Sequence, residues 1–142
     1  MLRKFFILSF LSFMLLQSFT ANDDQRIKFK DYAWNDIGRA AKSQNKMIFV
    51  LVTGNYCTAS RKMKRSLTEG KNKAGKFFND NFVSTNFDAE DFVQHYRASN
   101  WGISTVPAMV FLDKNRHVVH KYQGFRTTDQ MVYEAQIALS KK

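Results

Sequence analysis

The stretch Met47-Ile-Phe-Val-Leu-Val-Thr-Gly-Asn-Tyr-Cys57-Thr-Ala-Ser-Arg-Lys-Met-Lys64 decides how the rest of the chain is interpreted. Its first six residues are all apolar, which is typical of a strand that is buried on both faces of a sheet. A short turn follows. From Thr58 onward Met63 and Leu67 recur at helical spacing, and Gly70 ends the helix. Cys57, the only cysteine of the chain, therefore stands where a helix begins.

The segments on either side extend this unit to a whole domain. Apolar side chains at helical spacing predict a helix over residues 33–44, and residues 73–79 and 91–99 are also predicted to be helical. Strands are predicted over 82–87, 108–112 and 118–122, the last two forming a hairpin. A final helix carries one apolar face and begins at a cap formed by Thr128 or Asp129; the face comprises Met131, Val132, Ala135, Ala138 and Leu139. Helices alternating with buried strands predict an α/β fold, a mixed β-sheet with helices on both faces.

The first residues have the features of an export signal. Arg3 and Lys4 precede a mostly apolar run over 5–19, and Thr20-Ala21 suits a cleavage site. The run is shorter than the ~20 apolar residues that span a bilayer. We therefore expect residues 1–21 to be a signal peptide, residues 22–142 to be one domain, and the product to be periplasmic or secreted. An uncleaved anchor stays open, because Phe19 is bulky for its place beside the cut. Residues 22–31 are polar and are expected to form a loose N-terminal segment of the domain.

The formal net charge is +10. A cationic surface favours anionic partners such as acidic proteins. Seven cations crowd the segment after Cys57, opposed mainly by Glu69: Arg61, Lys62, Lys64, Arg65, Lys71, Lys73 and Lys76. This segment is either a patch that steers acidic partners to the thiol or an ordinary solvated surface. No nucleic-acid recognition motif is present, so that class of partner is set aside.

Four motifs in one order give the chain a family likeness. They are Asn55-Tyr-Cys-Thr-Ala-Ser60, Phe87-Asp-Ala-Glu-Asp91, the stretch from Trp101 through Val106-Pro107 to Asp113, and Tyr122-Gln-Gly-Phe125. Over residues 28–140 the chain resembles thioredoxin-like domains, and most of all the small exported thioredoxin-like proteins of bacteria. The likeness implies that Cys57 is the nucleophile, that Pro107 is cis and lies against it, and that the backbone of Val106 pairs with the substrate. It also implies that Tyr56 and Trp101 line the substrate groove.

The position of Cys57 favours a reactive thiolate. Backbone N–H groups at a helix start and the helix dipole stabilise negative charge. Ser60 can donate a hydrogen bond to the sulfur, and the positive charges of Arg61 and Arg65 add to the effect. Such surroundings lower the pKa of a cysteine below its ordinary ~8.5.

Three departures from the family pattern argue against a dithiol reductase cycle within one chain, and one of them is Thr58-Ala59 where the family usually has Gly-Pro between its two cysteines. Ser60 stands where the second cysteine would be, and Leu51 stands where many members carry a buried proton-carrying carboxylate. A single sulfur still permits disulfide isomerisation, deglutathionylation or a lasting mixed disulfide with a protein or small-molecule thiol. The alternative is a non-catalytic binding module of the same fold, and the residues alone leave this choice open.

Other polar residues give weaker indications. His117 and His120 lie three apart on a predicted strand and should point to opposite faces, and His95 is distant in sequence. We therefore expect no metal site, and no cofactor is indicated. Asp88 is interpreted as a helix cap or a loop carboxylate.

Overall fold

The computed structural model describes residues 25–70 and 72–142. The signal peptide expected over residues 1–21 lies outside the described residues, and so does Lys71 of the cationic segment.

The described part of the chain forms five helices and four strands, as the sequence predicts. The helices are α1 (Trp34–Gln44), α2 (Thr58–Thr68), α3 (Ala74–Asn81), α4 (Phe92–Asn100) and α5 (Thr128–Ser140). The strands are β1 (Met47–Thr53), β2 (Phe82–Asp88), β3 (Ala108–Leu112) and β4 (Val118–Gln123). The predicted α/β class is confirmed.

The four strands form one mixed sheet in the order β2-β1-β3-β4. β1 is parallel to β2 and antiparallel to β3, and β4 is antiparallel to β3. Every residue of β1 is buried, which explains its unbroken apolar sequence. β1 is therefore an inner strand, and the Cys57 turn that follows its carboxyl end lies between the ends of β2 and β3.

Alternate residues of β1 supply two separate cores. Phe49 and Leu51 belong to a cluster that includes Met63 of α2, together with side chains from α3 and α5. Val50 and Val52 belong to a second cluster, which α1 and α4 cover from the other face. Burying each such side chain contributes about 1.5–3 kcal/mol. Helices cover both faces of the sheet, as predicted.

Two local expectations were wrong. The N-terminal segment, expected to be loose, is packed on the domain from Ile27 onward. Ile27 is buried and donates its N–H to the Leu67 carbonyl at 2.9 Å, and Phe29 bridges to Ser84 of β2.

The cap of α5 is Thr127, one residue before the predicted pair. Its hydroxyl accepts from the Gln130 N–H at 3.4 Å, and the Gln130 side chain accepts from the Thr127 N–H at 3.1 Å. This reciprocal capping box satisfies two N–H groups and so fixes the helix start.

Candidate functional site: the Cys57 thiol

Cys57 is the N-cap residue of α2 and is half-buried. Its sulfur accepts a hydrogen bond from the Ser60 N–H at 3.4 Å. The turn before it depends on Gly54, where an added Cβ would lie 3.3 Å from Val106 Cγ2 and 3.7 Å from Cys57 Cβ. Because glycine has no Cβ, the turn and the loop before Pro107 can approach each other closely.

Ser60 supports the sulfur from within the protein. Its side chain is fully buried, and its hydroxyl accepts from the Gly54 N–H at 3.2 Å. The side-chain hydrogen bond from Ser60 is the main cause that lowers the pKa of the Cys57 thiol. The backbone N–H groups of Ser60 and Ala59 and the charge of Arg61 act in the same direction, while burial opposes them. The surroundings therefore favour the thiolate.

Val106 and Pro107 complete the surroundings of the sulfur. The Val106–Pro107 peptide bond is cis, and the Cys57 thiol donates to the Val106 carbonyl at 3.7 Å. The loop before them is anchored by Gln123, whose side-chain oxygen accepts from the N–H groups of Ser104 at 2.7 Å and Thr105 at 3.1 Å. Residues 49 positions apart in sequence thus meet at the thiol.

Arg61 holds the turn as well as contributing charge. Its guanidinium donates to the Asn55 carbonyl at 2.6 Å and to the Thr58 hydroxyl at 3.2 Å. Arg65, which was expected to add charge at the thiol, is paired with Glu69 at 3.3 Å. The two arginines of α2 therefore have different surroundings.

A set of carboxylates that sequence reasoning did not connect to the thiol holds the other side of the turn. Glu90 Oε1 accepts from the Asn55 N–H at 2.8 Å, and Asp88 Oδ2 accepts from Asn55 Nδ2 at 2.8 Å. Asp91 follows as the cap of α4, accepting from the Gln94 N–H at 2.9 Å. We call Asp88, Glu90 and Asp91 the acidic bracket. The sequence indicated only that Asp88 could be a helix cap or a loop carboxylate. Its contact with Asn55 was not predicted, because the two residues are 33 positions apart.

The remaining predicted positions lie in contrasting surroundings. Tyr56 is 91% exposed, so its ring is open to a partner. Trp101 is half-buried, and its ring centroid lies 5.7 Å from Phe87 and 5.5 Å from Trp34 within the second core. Its place in a substrate groove stays a prediction. Leu51 is fully buried in the core beneath α2. At the position where many family members carry a buried carboxylate, this chain therefore has an apolar side chain packed in the core.

The sequence profile described as Thioredoxin-like domain matches residues 35–135. The chain belongs to the thioredoxin-like domain family. No curated protein matches it in sequence.

Solved structures share the thioredoxin-like fold at low sequence identity. A disulphide-isomerase candidate from Bacteroides thetaiotaomicron superposes with a TM-score of 0.71 at 16% identity, covering 82% of this chain and 96% of its own. An oxidoreductase named DsbH gives 0.64 at 16% identity, covering 89% and 94%. A thioredoxin from Thermus thermophilus gives 0.66 at 15% identity, covering 81% and 88%. At these identities the likeness shows the fold alone.

Two histidines of this thioredoxin-like domain, His117 and His120, have side-chain partners. His117 precedes β4 rather than lying on it as predicted, and its Nδ1 lies 3.1 Å from Asp113 Oδ2. His120 Nε2 lies 2.6 Å from Glu134 Oε2, and Arg126 Nη2 lies 2.8 Å from Glu134 Oε1. We call His120, Arg126 and Glu134 the buried ion cluster. Among the described residues, no three His, Cys, Asp or Glu side chains are grouped as a metal site.

Most of the cationic segment that the structure describes is exposed to solvent, whereas Lys76 is half-buried and paired with Asp80 at 2.9 Å. Arg61, Lys62, Lys64 and Arg65 are all exposed on α2. Lys62 Nζ lies 5.2 Å from the ring centroid of Phe125. Exposed charge of this kind accords with either interpretation, a steering patch or an ordinary helix surface. Within the part of the chain that is described, none of the helices combines the length and the apolar composition of a membrane span.

Proposed function

We propose that this protein is an exported thioredoxin-like protein whose single thiol forms mixed disulfides with protein or small-molecule thiols and disulfides. One observation carries the proposal: the half-exposed sulfur of Cys57 stands at the start of α2, where hydrogen bonds from Ser60 lower its pKa. A thiolate that solvent can reach is the form that attacks a disulfide. Export rests on the signal-like residues 1–21.

The proposed step conserves atoms and electrons. The Cys57 thiolate attacks one sulfur of a substrate disulfide, a new S–S bond forms to Cys57, and the old S–S bond breaks. The departing sulfur leaves as a thiolate and takes a proton from water. A second thiolate then attacks the mixed disulfide and releases Cys57. When another thiolate of the same substrate attacks, the outcome is isomerisation. When the substrate is a protein–glutathione disulfide, Cys57 attacks the glutathione sulfur and the protein thiolate leaves. A second glutathione then attacks the mixed disulfide, which frees Cys57 and forms oxidised glutathione, and the outcome is deglutathionylation.

The releasing thiol must come from outside the motif. Ser60 is fully buried and carries a hydroxyl, which cannot close a disulfide with Cys57. The Val106 carbonyl lies 3.7 Å from the sulfur. Val106 and Pro107 are proposed to shape the substrate groove, with Tyr56 and Trp101 at its border. The names of two structural neighbours, a disulphide-isomerase candidate and an oxidoreductase, accord with thiol–disulfide exchange as the class of reaction.

Covalent trapping tests the proposal. The full-length protein is incubated with a disulfide-containing, partly unfolded protein, quenched with acid, and separated without reductant. We expect a reductant-sensitive adduct at Cys57, identified by mass spectrometry, and no adduct for Cys57→Ala. If Cys57→Ala retains the same partners as wild type by a non-covalent pull-down, and wild type forms no adduct, the protein is the non-catalytic binding module instead. Fractionation of cells that express the full chain tests export.

A further inference from the structure

A pocket lies at the opposite end of the sheet from Cys57. It has a volume of about 260 Å³ and opens between the start of β1, the turn that joins β3 to β4, and the residues after α5. Because the seven residues of β1 rise about 3.3 Å each, the pocket lies roughly 20 Å from the Cys57 turn. We call it the basal pocket. No residue of the candidate thiol site lines it.

The floor of the basal pocket is apolar. Met47 is buried in the core cluster that contains Phe49 and Leu51, and Val119 packs against that cluster from β4. The methylene stems of lysines at the rim extend this lining, because a lysine keeps only its ammonium group in water. Pockets with apolar walls and a few polar groups are typical of ligand sites, which measure about 300–1,000 Å³. The basal pocket is slightly smaller, so its size suits a small molecule.

The rim of the basal pocket is rich in positive charge, which comes from four lysines: Lys46, Lys114, Lys141 and Lys142. Lys46 donates to a backbone carbonyl of α3 at 2.7 Å. Lys114 Nζ lies 3.4 Å from Asn45 Oδ1, and Lys141 Nζ lies 3.3 Å from His120 Nδ1. None of these three partners is a carboxylate, so the contacts hold the side chains without cancelling their charge.

Two carboxylates belong to the same rim. Asp113 Oδ1 accepts from the N–H groups of Asn115 and His117 at 2.8 and 2.9 Å, and its Oδ2 lies 3.1 Å from His117 Nδ1, so this carboxylate is satisfied within its own turn. The other is the α-carboxylate of Lys142, the last residue of the sequence. Four positive charges against two negative ones leave a rim that attracts anions.

We propose that the basal pocket binds a small amphipathic anion, with its apolar part against Met47 and Val119 and its charged group among the lysine ammoniums. The two parts of the lining select this class together. A small hydrated anion gains little from the apolar floor, and an uncharged apolar molecule gains nothing from the cationic rim. The site acts independently of the thiol of Cys57.

Chemical-shift titration of the full chain by two-dimensional NMR tests the inference with three probes. Octanoate has both an alkyl chain and a charge, 1-octanol has the chain alone, and propanoate has the charge with a much shorter chain. Octanoate should shift the amide signals of Met47, Lys114 and Val119. It should bind about tenfold more tightly than propanoate and about fivefold more tightly than octanol, because enclosed methylene groups and an exposed ion pair each strengthen binding. Cys57→Ala should bind octanoate as wild type does.

A pair of charge reversals tests the role of the rim. Lys114→Glu/Lys142→Glu changes two exposed positions, so the variant should keep the dispersed spectrum of a folded domain. It should bind octanoate about tenfold more weakly and octanol within about twofold of wild type, because only octanoate depends on the rim charge. Lys62→Glu/Lys64→Glu makes the same change of net charge on α2, away from the pocket, and should leave octanoate binding unchanged.

Several outcomes would overturn the inference. They are the absence of octanoate shifts at the basal pocket, equal affinity for octanoate and either of the other probes, and equal octanoate affinity in wild type and Lys114→Glu/Lys142→Glu. Binding to phosphatidylglycerol vesicles that the same double variant loses, without binding of octanoate, would assign the lysines to a membrane surface and overturn it as well.

Discussion

The Cys57 turn and the buried ion cluster both surround one acidic group with hydrogen-bond donors, but they do so at opposite depths. Cys57 is half-buried, and donors surround only part of its sulfur. Glu134 is 4% exposed. Its Oε1 accepts two hydrogen bonds from Arg126, at 2.8 and 3.1 Å, and its Oε2 lies 2.6 Å from His120 Nε2. The difference teaches that the same interactions adjust reactivity at the surface and hold the fold together in the interior.

The His120 ring of the buried ion cluster has two further neighbours. Lys141 Nζ lies 3.3 Å from His120 Nδ1. His120 also stacks on Phe111 at 5.9 Å between ring centroids, which ties the cluster to the sheet.

The largest effect expected in either region is the loss of thiol chemistry in Cys57→Ser. Reaction with dithiodipyridine should stop entirely, because a serine hydroxyl is not ionised at neutral pH. The free energy of unfolding should change by less than about 1 kcal/mol, since the substitution is nearly isosteric at a half-buried position. Stopped-flow absorbance and urea unfolding measure the two quantities. Remaining disulfide reactivity would show that another group reacts.

The second effect concerns stability alone. Glu134→Ala should lower the free energy of unfolding by about 2–3 kcal/mol, because it leaves the Arg126 guanidinium and the His120 ring without their shared partner in a largely buried place. Urea unfolding measures the loss. The alkylation rate of Cys57 should stay within about twofold of wild type, since stability and reactivity reside in separate regions.

Glu69→Gln is the control for the Glu134 substitution. Its carboxylate pairs with Arg65 on the exposed side of α2, where such pairs contribute about 0–1 kcal/mol. A loss of stability equal to that of Glu134→Ala would contradict the contrast between buried and exposed ion pairs.

The third effect is smaller and lies at the thiol. Ser60→Ala removes the hydrogen bond that contributes most to lowering the pKa of Cys57. The alkylation rate at neutral pH should fall about fivefold, because a higher pKa lowers the fraction of Cys57 that is thiolate. The fall is smaller than the change in that fraction, because a more basic thiolate is also more nucleophilic. Ser66→Ala, whose hydroxyl donates to the Met63 carbonyl within the same helix, is the control and should leave the rate unchanged.

The smallest effect is expected from Arg61. Its charge is the last of the causes that lower the pKa of Cys57, and solvent screens it. Arg61→Gln should reduce the alkylation rate at neutral pH by about twofold at low salt and by less at high salt. Lys64→Gln serves as the comparison. An effect of Arg61→Gln larger than that of Ser60→Ala would mean that charge, and not the Ser60 hydrogen bond, is the main cause of the lowered pKa.

The sequence predicts the fold well because its decisive signals are local. The apolar run from Met47 to Val52 and the stripe of Met63 and Leu67 each report burial directly, and the structure confirms both. Ile27 and Phe29 were missed because two apolar residues in a polar segment are too few to indicate a strand-like pairing.

In the candidate site, too, contacts between residues close in sequence could be predicted from the residues themselves, and contacts between distant residues could not. The helix-start position of Cys57 and the role of Ser60 follow from neighbouring residues. The closeness of Val106 came only from the family resemblance, since 49 residues separate it from Cys57. Glu134 was missed because it lies between Met131 and Ala135 on the face of α5 that the sequence marks as core, and its partners come from β4 and the loop after it.

The central claim is that the folded protein stabilises the Cys57 thiolate, and the alkylation rate of Cys57 against pH tests it most directly. A thiol whose pKa is lowered on folding ionises at lower pH in the native protein than in the unfolded chain. The rate in the folded protein should therefore reach half its maximum below the ordinary ~8.5, and the same protein in urea should show the ordinary midpoint. A folded-state midpoint at or above the unfolded one, or no labelling until the protein unfolds, would contradict the account.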